Sequence, residues 1–573
     1  MKQLFLNLGI LLILIATQSM RSQSWVALVS PAQNAINVLK TSDIGITFSE
    51  DINPTTLNNN TIVVSGSQSG FYTSNNINYN PATRIAVFDS DNDFRVGETV
   101  SVTLTTGISN TAGNPMPIPH NWSFTIKPSF GSATFASAGN KTVGSTPYAL
   151  TNGDWDGDGD LDLAVTNTGS GTISILRNDG NFIFVEIFTP AVQSAPRAIT
   201  AADFDADGDM DLAVVNRISN TLSILTNNGG GNFTQNATTS LGNSPTWVTA
   251  GDWDGDSDID LAVSNDLSSS VSILINDGIG NFLQNATPVV GDNPQSICAG
   301  DIDGDGDFDL ATATSASNAV TTLINDGAGS FTFGTLPAAG NSPTSLALAD
   351  VDADTDLDLA VVNTTSDMVT ILMNNGNGNF SQSSTVIVGD HPTNVIVSDF
   401  DNDGDIDLAI VNGNDHNLSI LRNDGMGNFM VSNNAGPSYH PYSTVSGDFD
   451  NDGAIDLAVA NPGSFNITLL KNIPITAISE NENKIPKRFE LYQNYPNPFN
   501  ALTLISFSLP GFSFVTLKVY DVLGKEVQTL VSEQQIAGIY SVDFDAGSLP
   551  GGVYFYRLET QNFTETKKML LMP

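Results

Sequence analysis

The residues with the clearest chemistry are carboxylates at every second position of a nine-residue stretch, and that stretch occurs seven times. The copies are Asp154, Asp156, Asp158, Asp160 and Asp162; Asp203, Asp205, Asp207, Asp209 and Asp211; Asp252, Asp254, Asp256, Asp258 and Asp260; Asp301, Asp303, Asp305, Asp307 and Asp309; Asp350, Asp352, Asp354, Asp356 and Asp358; Asp399, Asp401, Asp403, Asp405 and Asp407; and Asp448, Asp450, Asp452, Ala454 and Asp456. Each copy starts 49 residues after the one before. Carboxylates this close repel one another by about 0.8 kcal/mol per pair at ~5 Å, even in water. A hard cation removes that cost. Calcium takes about six to eight oxygens, mostly carboxylate and carbonyl. Side chains at positions 1, 3, 5 and 9 would converge on one ion, beside the main-chain carbonyl of position 7. Position 6, where the loop turns sharply, is Gly in five copies (Gly159, Gly208, Gly306, Gly404 and Gly453) and Ser257 or Thr355 in the other two. Ala454 stands at position 7 of the last copy, so that position can serve through its backbone alone, and Asp160 and its equivalents then add only negative charge. The expectation is about seven calcium ions, one per repeat.

Two other calcium loops are excluded by spacing. An EF-hand needs a Glu at its twelfth position, where this sequence has Val165, Val214, Val263, Thr312, Val361, Ile410 and Val459. The nine-residue repeats of calcium β-helices follow one another without the long interval seen here.

A fixed period of this length marks units that bury their apolar faces against their neighbours, and four-stranded propeller blades have about this length. In the first repeat the pattern predicts strands at 148–153, 161–167, 172–177 and 182–188. The acidic loop joins the first two strands. Asn178-Asp-Gly180, Asn227-Asn-Gly229 and Asn276-Asp-Gly278 have the chemistry of hairpin turns and join the last two. A proline opens each unit, from Pro147 to Pro441. The fourth strands are expected to start at Phe182, Phe233, Phe282, Phe331, Phe380 and Phe429, and the seventh repeat has no such Phe. Phe135, 12 residues ahead of Pro147, fills that slot, as Phe233 stands 12 ahead of Pro245. The last blade would thus take its outer strand from the start of the domain, which removes open sheet edges. The expectation is an all-β chain with a seven-bladed propeller over residues 128–474.

These repeats resemble the FG-GAP (VCBS-like) family, which includes the integrin α-subunit propellers. The resemblance rests on the Asp-x-Asp-x-Asp-Gly-x-x-Asp loop, the Leu163-Ala-Val165 strand and the turn Asn276–Phe282. It implies that the calcium loops share one face and that ligands meet the other. That second face would hold Asn412–His416 and the segments before each proline. All seven repeats carry the loop, unlike integrins, so an integrin-type ligand site is not implied.

The flanks read differently. Residues 1–24 have Lys2, an apolar run from Leu8 to Ala16 and small polar residues after it, the pattern of a secretory signal. Residues 25–127 carry strand-like runs at 44–48, 61–64, 84–88, 99–105 and 122–126, as in a β-sandwich. Ile46–Ile52 and Asn110–Asn114 resemble the bacterial Ig-like domain of S-layer and surface proteins. Asp89, Asp91 and Asp93 fit a polar turn better than an ion site. Residues 475–487 form a polar linker. Residues 488–573 open on Tyr495-Pro-Asn-Pro-Phe-Asn500, contain Leu549-Pro-Gly-Gly-Val-Tyr554, and end on Lys567-Lys568 and an apolar tail. Strands are expected at 504–509, 515–520, 526–531, 540–544 and 553–558, in a small second sandwich. This stretch resembles the type A C-terminal sorting domain of the type IX secretion system. The resemblance implies the secretion machinery as a partner, export across the outer membrane, and attachment to surface lipopolysaccharide.

Composition narrows the function. Net charge is −41, and the seven loops hold 34 of the 61 acidic residues, so the acidity belongs to the loops. Lys and Arg number only 20 and form no basic block, which argues against nucleic acid. The lone Cys298 excludes an internal disulfide framework and sits where other repeats have Thr, Ala, Ile or Val. No later segment has the length and apolarity of a membrane span. The four histidines, His120, His391, His416 and His440, are scattered, and His391 and His440 read as turn residues beside Pro392 and Pro441. Trp155 and Trp253 hold a packing position in the loops, whereas Trp247 is a candidate for stacking on a ligand. No catalytic constellation is visible. The reading is a non-enzymatic recognition or adhesion protein for an extracellular glycan or protein, exported to the medium or the cell surface. The alternative is a polysaccharide-active or other hydrolytic enzyme. Clustered His, Tyr, Arg or Glu at the propeller mouth would favour the enzyme, and turns of Ser, Thr, Asn and Gly would favour binding.

Overall fold

The structure, a computed structural model, describes residues 25–129, 131–436, 439–473, 488–494, 496–500, 502–510, 513–535, 538–547, 549–560 and 563–572. The signal-like residues 1–24 and the linker 475–487 lie outside the described residues. The chain divides into two compact units at residue 476. The described elements are β-strands and two three-residue 3₁₀ turns, Pro54–Thr56 and Asp266–Ser268.

The first unit begins with a sandwich. One sheet orders Val26–Ser30, Ile44–Phe48, Ile85–Asp89 and Asn76–Asn80, and the other orders Ala35–Val38, His120–Ile126, Thr99–Leu104, Ile62–Gly66 and Gly70–Tyr72. Ile44, Ile46 and Phe48 are buried while Gly45 and Thr47 between them are half-buried, the alternation of a strand with one covered face. All five expected strands are present. Asn76–Asn80, whose inward Ile77 and Tyr79 alternate with three asparagines, is among those the sequence did not show. Asp89, Asp91 and Asp93 face separate partners: Asn76, the Asn75 amide and Lys40.

Seven four-stranded sheets follow, the blades of a propeller. Blade 1 is Pro147–Gly153, Asp162–Asn167, Thr172–Asn178 and Phe184–Phe188. Every residue of each second strand is buried, from Asp162–Asn167 to Asp456–Asn461. The middle of a strand covered on both faces by neighbouring sheets is apolar on both, which explains the Leu-Ala-Val runs, while the buried Asp and Asn at its ends are hydrogen-bonded. In blade 7 the strands Ser443–Gly447, Asp456–Asn461 and Asn466–Asn472 are completed by Phe135–Thr142, with Phe135 opposite Asn472. The fourth strand of blade 1 starts at Phe184, not at Phe182. Phe182 takes a left-handed turn conformation (φ 62°), whereas Phe184 is 1% exposed and pairs with Asn178. The reason is a turn of different composition, which lets Phe184 keep the 12-residue distance to Pro196.

Two contacts recur from blade to blade. The residue at loop position 2 meets the outer-strand Phe of the next blade edge-on, as in Trp155–Phe233 (5.7 Å), Phe204–Phe282 (5.5 Å) and Phe135–Phe400 (5.7 Å). The Asn that ends each third strand or directly follows it donates its side-chain N–H to the position-2 carbonyl of the preceding blade's loop: Asn227 to Trp155 (2.8 Å), Asn276 to Phe204 (2.8 Å), and so on to Asn472 and Phe400 (2.8 Å). Asn178 makes the same bond to Phe449 (2.9 Å), so blades 1 and 7 are joined as the others are.

The second unit has a sheet of Glu490–Leu491, Leu502–Leu509 and Gly538–Asp545 and another of Glu526–Gln535, Ser513–Tyr520, Gly552–Glu559 and Thr564–Leu571. Its core includes Phe499, Phe507, Leu517, Tyr556 and Met569. The basic and apolar ending is therefore a strand, with Met569 and Leu571 turned inward, and not a tail.

Candidate metal loops and the two faces of the propeller

Each acidic loop links the first and second strands of its blade. Its shape is set by the carboxylates themselves. The position-1 side chain accepts from the position-6 amide and from the position-4 or position-5 amide beside it: Asp154 from Gly157 (2.9 Å) and Gly159 (3.0 Å), Asp252 from Gly255 (2.7 Å) and Ser257 (3.1 Å), and Asp203 from Asp207 (3.2 Å) and Gly208 (2.8 Å). Position 5 accepts from the position-7 amide, as Asp158 does from Asp160 (2.9 Å) and Asp452 from Ala454 (2.9 Å). Position 9 accepts from the position-2 amide and from the Asn that ends the third strand. Asp162, for example, bonds Trp155 (3.0 Å) and Asn178 (2.7 Å).

Positions 1, 3 and 9 come together. In the first five loops one carboxylate oxygen from each lies within 4.8 Å of the others, as for Asp154, Asp156 and Asp162. Position 5 is turned to its cap, and the position-7 carboxylates of Asp209, Asp258 and Asp356 lie against the glycine turns at Gly229, Gly278 and Gly376. Buried Oδ1 atoms of Asp156, Asp205, Asp254 and Asp352, all at position 3, have no hydrogen-bond partner. Burial, opposed by their amide bonds, pushes the position-9 carboxyls up to about 7 at Asp162, Asp211 and Asp358, about 8 at Asp309 and Asp456, and about 9 at Asp260 and Asp407. Burial likewise raises position 1, to about 7 at Asp252 and Asp301. Desolvated carboxylates cannot all ionise together without a counter-charge. Orphaned oxygens, clustered acids and an oxygen-only donor set fit a hard divalent cation.

The sandwich sits on the loop face. The position-6 carbonyl accepts a hydrogen bond from it, or from the segment after it, in five loops. Gly159 accepts from Arg95 Nη1 (2.7 Å), Gly306 from the Asn121 amide (3.0 Å), Thr355 from Asn34 Nδ2 (2.9 Å), Gly404 from Asn37 Nδ2 (2.7 Å) and Gly453 from the Ser129 amide (2.8 Å). Two contacts reach the carboxylates: Arg95 Nη2 to Asp154 (3.0 Å) and Gln33 Nε2 to Asp301 (3.2 Å). The inner strands of all seven blades line a central cavity of about 470 Å³, whose loop-side end is formed by Ser67, Gln68, Gly97 and Thr99 of the sandwich. Gly255 and Gly157 test this seating. Both stand at position 4 with nearly equal φ (+75° and +73°), but a Cβ on Gly255 would lie 2.0 Å from Pro119, and one on Gly157 would meet nothing within 4 Å. Ala206 and Ala353 already hold this conformation in other loops (φ 59° and 63°), so the backbone tolerates alanine. Gly255→Ala is expected to cost about 1–3 kcal/mol more than Gly157→Ala, from overpacking alone. Urea midpoints of the full chain measure the difference, and equal midpoints would show that the sandwich does not rest on this loop.

The opposite face carries clusters that no local motif announced. Tyr148 and Tyr442, each just after a blade proline, have ring centroids 3.9 Å apart, and the Arg197 guanidinium lies 4.5 Å above the Tyr148 ring. Arg217 pairs with Asp266 (3.0 Å), which also accepts from Asn293 (2.6 Å) and Gln295 (3.2 Å). His416, Tyr439 and His440 gather at one joint, with ring centroids 4.3–4.7 Å apart. His391 and His440 sit at left-handed turn positions (φ 56° and 51°), in keeping with their reading as turn residues, and His416 does the same (φ 57°). Trp155 and Trp253 are 1% exposed and pack in blade cores. Trp247 is half-buried, packed between two blade cores beside the cavity. Cys298 is a free thiol on the same cavity, and burial pushes its pKa up. His120, half-buried at the start of a sandwich strand, lies beside Gly306, and desolvation lowers its pKa to about 4.

Comparison with known proteins agrees with this architecture. The bacterial Ig-like domain matches residues 24–126, and the secretion system C-terminal sorting domain matches residues 493–572. The latter marks the chain for export by the type IX system to the cell surface or the extracellular space, and it implies contact with that machinery. No helix among the described residues is long and apolar enough to cross a membrane. No curated protein matches. Among solved structures, BBS1N in a complex with ARL6DN, soaked with lead, is 15% identical (TM-score 0.44; 61% of this chain, 99% of that one). A functionally unknown protein from Desulfotomaculum acetoxidans is 12% identical (TM-score 0.38; 64% and 96%), and one from Lactobacillus plantarum 13% (TM-score 0.43; 67% and 98%). The FG-GAP-like repeat matches six overlapping stretches from 154–214 to 399–459, more than half of the sequence, and the chain belongs to that family.

Proposed function

We propose that this protein is an exported calcium-binding propeller that recognises an extracellular glycan or protein through the face opposite its metal loops. Calcium is the cation that suits an all-oxygen loop in an extracellular module. The carrying observation is the seat of the sandwich, which occupies the loop face through five position-6 carbonyls. A partner then has the opposite face, where Tyr148, Tyr442 and Arg197 offer stacking and hydrogen-bonding groups. Binding without catalysis accounts best for these groups. Arg197 is engaged by the Tyr148 ring and by Tyr442 Oη (3.4 Å), and it is not set against a carboxylate as an acid–base pair would be. A glycan array probed with the full chain in calcium tests the reading, with a Tyr148→Ala/Tyr442→Ala variant beside it. Binding that the double variant loses is expected. Binding indifferent to the variant, or hydrolysis of the bound glycan, would overturn it.

A further inference from the structure

The seven loops differ at one position outside themselves. The residue 23 places after position 1, on the third strand, is Arg177, Thr226, Ile275, Ile324, Met373, Arg422 and Lys471 in turn. In blade 7, Lys471 Nζ contacts the carboxylates of both Asp450 and Asp452, the latter at 2.8 Å. In blade 6, Arg422 Nη1 lies 3.3 Å from Asp401. In blade 1, Arg177 turns to Asp179 (2.7 Å), and the loop receives Arg95 from the sandwich instead, 3.0 Å from Asp154. The contacted carboxylates stand at positions 1, 3 and 5. Among the described residues, no Lys or Arg lies within ion-pair distance of the loops of blades 2, 3 and 5.

We propose that Lys471, Arg422 and Arg95 neutralise the loops of blades 7, 6 and 1 when metal is absent and weaken calcium binding there, so that the join between the first and last blades holds without calcium. This rests on the calcium reading and divides its loops into two affinity classes. The three blades are consecutive across the join. Arg422 also serves the join directly, because its Nη2 donates to the Ser132 carbonyl, just ahead of the strand that completes blade 7. Asn402 Nδ2 donates to Ser129 O (3.3 Å) in the same segment. Loop 7 also lacks one carboxylate, at Ala454, so a single ammonium offsets more of its charge. A fixed positive charge ~6 Å from a calcium ion lowers affinity about tenfold, even in a water-like dielectric. A neutral residue at this strand position imposes no such repulsion.

The full chain tests this in two ways. Calorimetric titration with calcium chloride is expected to show a tight and a weak class of sites. Lys471→Met and Arg422→Thr, which install the residues of blades 5 and 2, should each tighten one weak site about tenfold. Hydrogen exchange of the wild-type chain in chelator should leave residues 456–472 of blade 7 protected while blade 3 loses protection. A single class of sites unmoved by both variants overturns the proposal, and so does equal loss of protection in blades 3 and 7, which needs no variant to fold. If no calcium binds at all, the calcium reading itself fails.

Discussion

Removing calcium from the full chain is expected to lower the melting temperature of the propeller on the order of 10 °C, and added calcium should restore it. Loops in extracellular modules bind with dissociation constants of about 10⁻⁴–10⁻³ M. At roughly 2 mM calcium, mass action then gives about 0.65–1.8 kcal/mol per site, or roughly 5–13 kcal/mol for seven equal sites. That compares with the whole stability of an ordinary domain. The built-in cations of three loops move the sum toward the lower figure, and about 5 kcal/mol is still on the order of 10 °C in a domain of this size. The physical source is the desolvated acids at positions 1, 3 and 9, held together by amides that serve two purposes. The Asn178 amide fixes Asp162, while its side chain grips the loop of blade 7. Disorder in one loop therefore loosens its neighbour. Scanning calorimetry with and without chelator measures the shift, and a melting temperature indifferent to chelator would refute metal binding and leave acidic turns.

Deleting residues 128–144 should be nearly as damaging. The deletion removes the strand Phe135–Thr142 and leaves Asn466–Asn472 as an open edge. It also removes the edge-on contact of Phe135 with Phe400 and the Ser129 bond to Gly453. Losing the buried Phe135 side chain alone costs about 3–5 kcal/mol. An unpaired edge that carries apolar side chains is a template for association, so soluble aggregates are expected by light scattering at temperatures where the intact chain is monomeric. A monomeric product with unchanged melting temperature would place the join elsewhere.

Much of this was legible in the sequence because a repeat protein writes the same local requirement many times. A single acidic loop is ambiguous, but seven at a 49-residue step cannot be chance turns. The Phe135 phase predicted the pairing of the first and last segments, because every blade needs a Phe against the position-2 side chain of its neighbour. The phase failed once, at Phe182, where a turn of different composition hid the true register of Phe184. The final strand Thr564–Leu571 was missed because its lysines masked an alternation whose inward members are Met569 and Leu571.

The sequence by itself determined what every blade must have: the acidic loop, the doubly covered second strand, the hairpin turn and the proline that opens the unit. It also determined the two flanking modules, whose motifs are local. The tertiary structure alone decided what depends on neighbours distant along the chain. Asn178 and its equivalents looked like turn residues and prove to be staples between blades. The sandwich could have been a free spacer, yet it seats on the loops through donors as far apart in sequence as Asn34 and Asn121. Tyr148 and Tyr442 meet only because blades 1 and 7 lie side by side. The sandwich and tyrosine contacts occur once each, so no period records them, and their energy becomes available only after the chain has brought distant segments together.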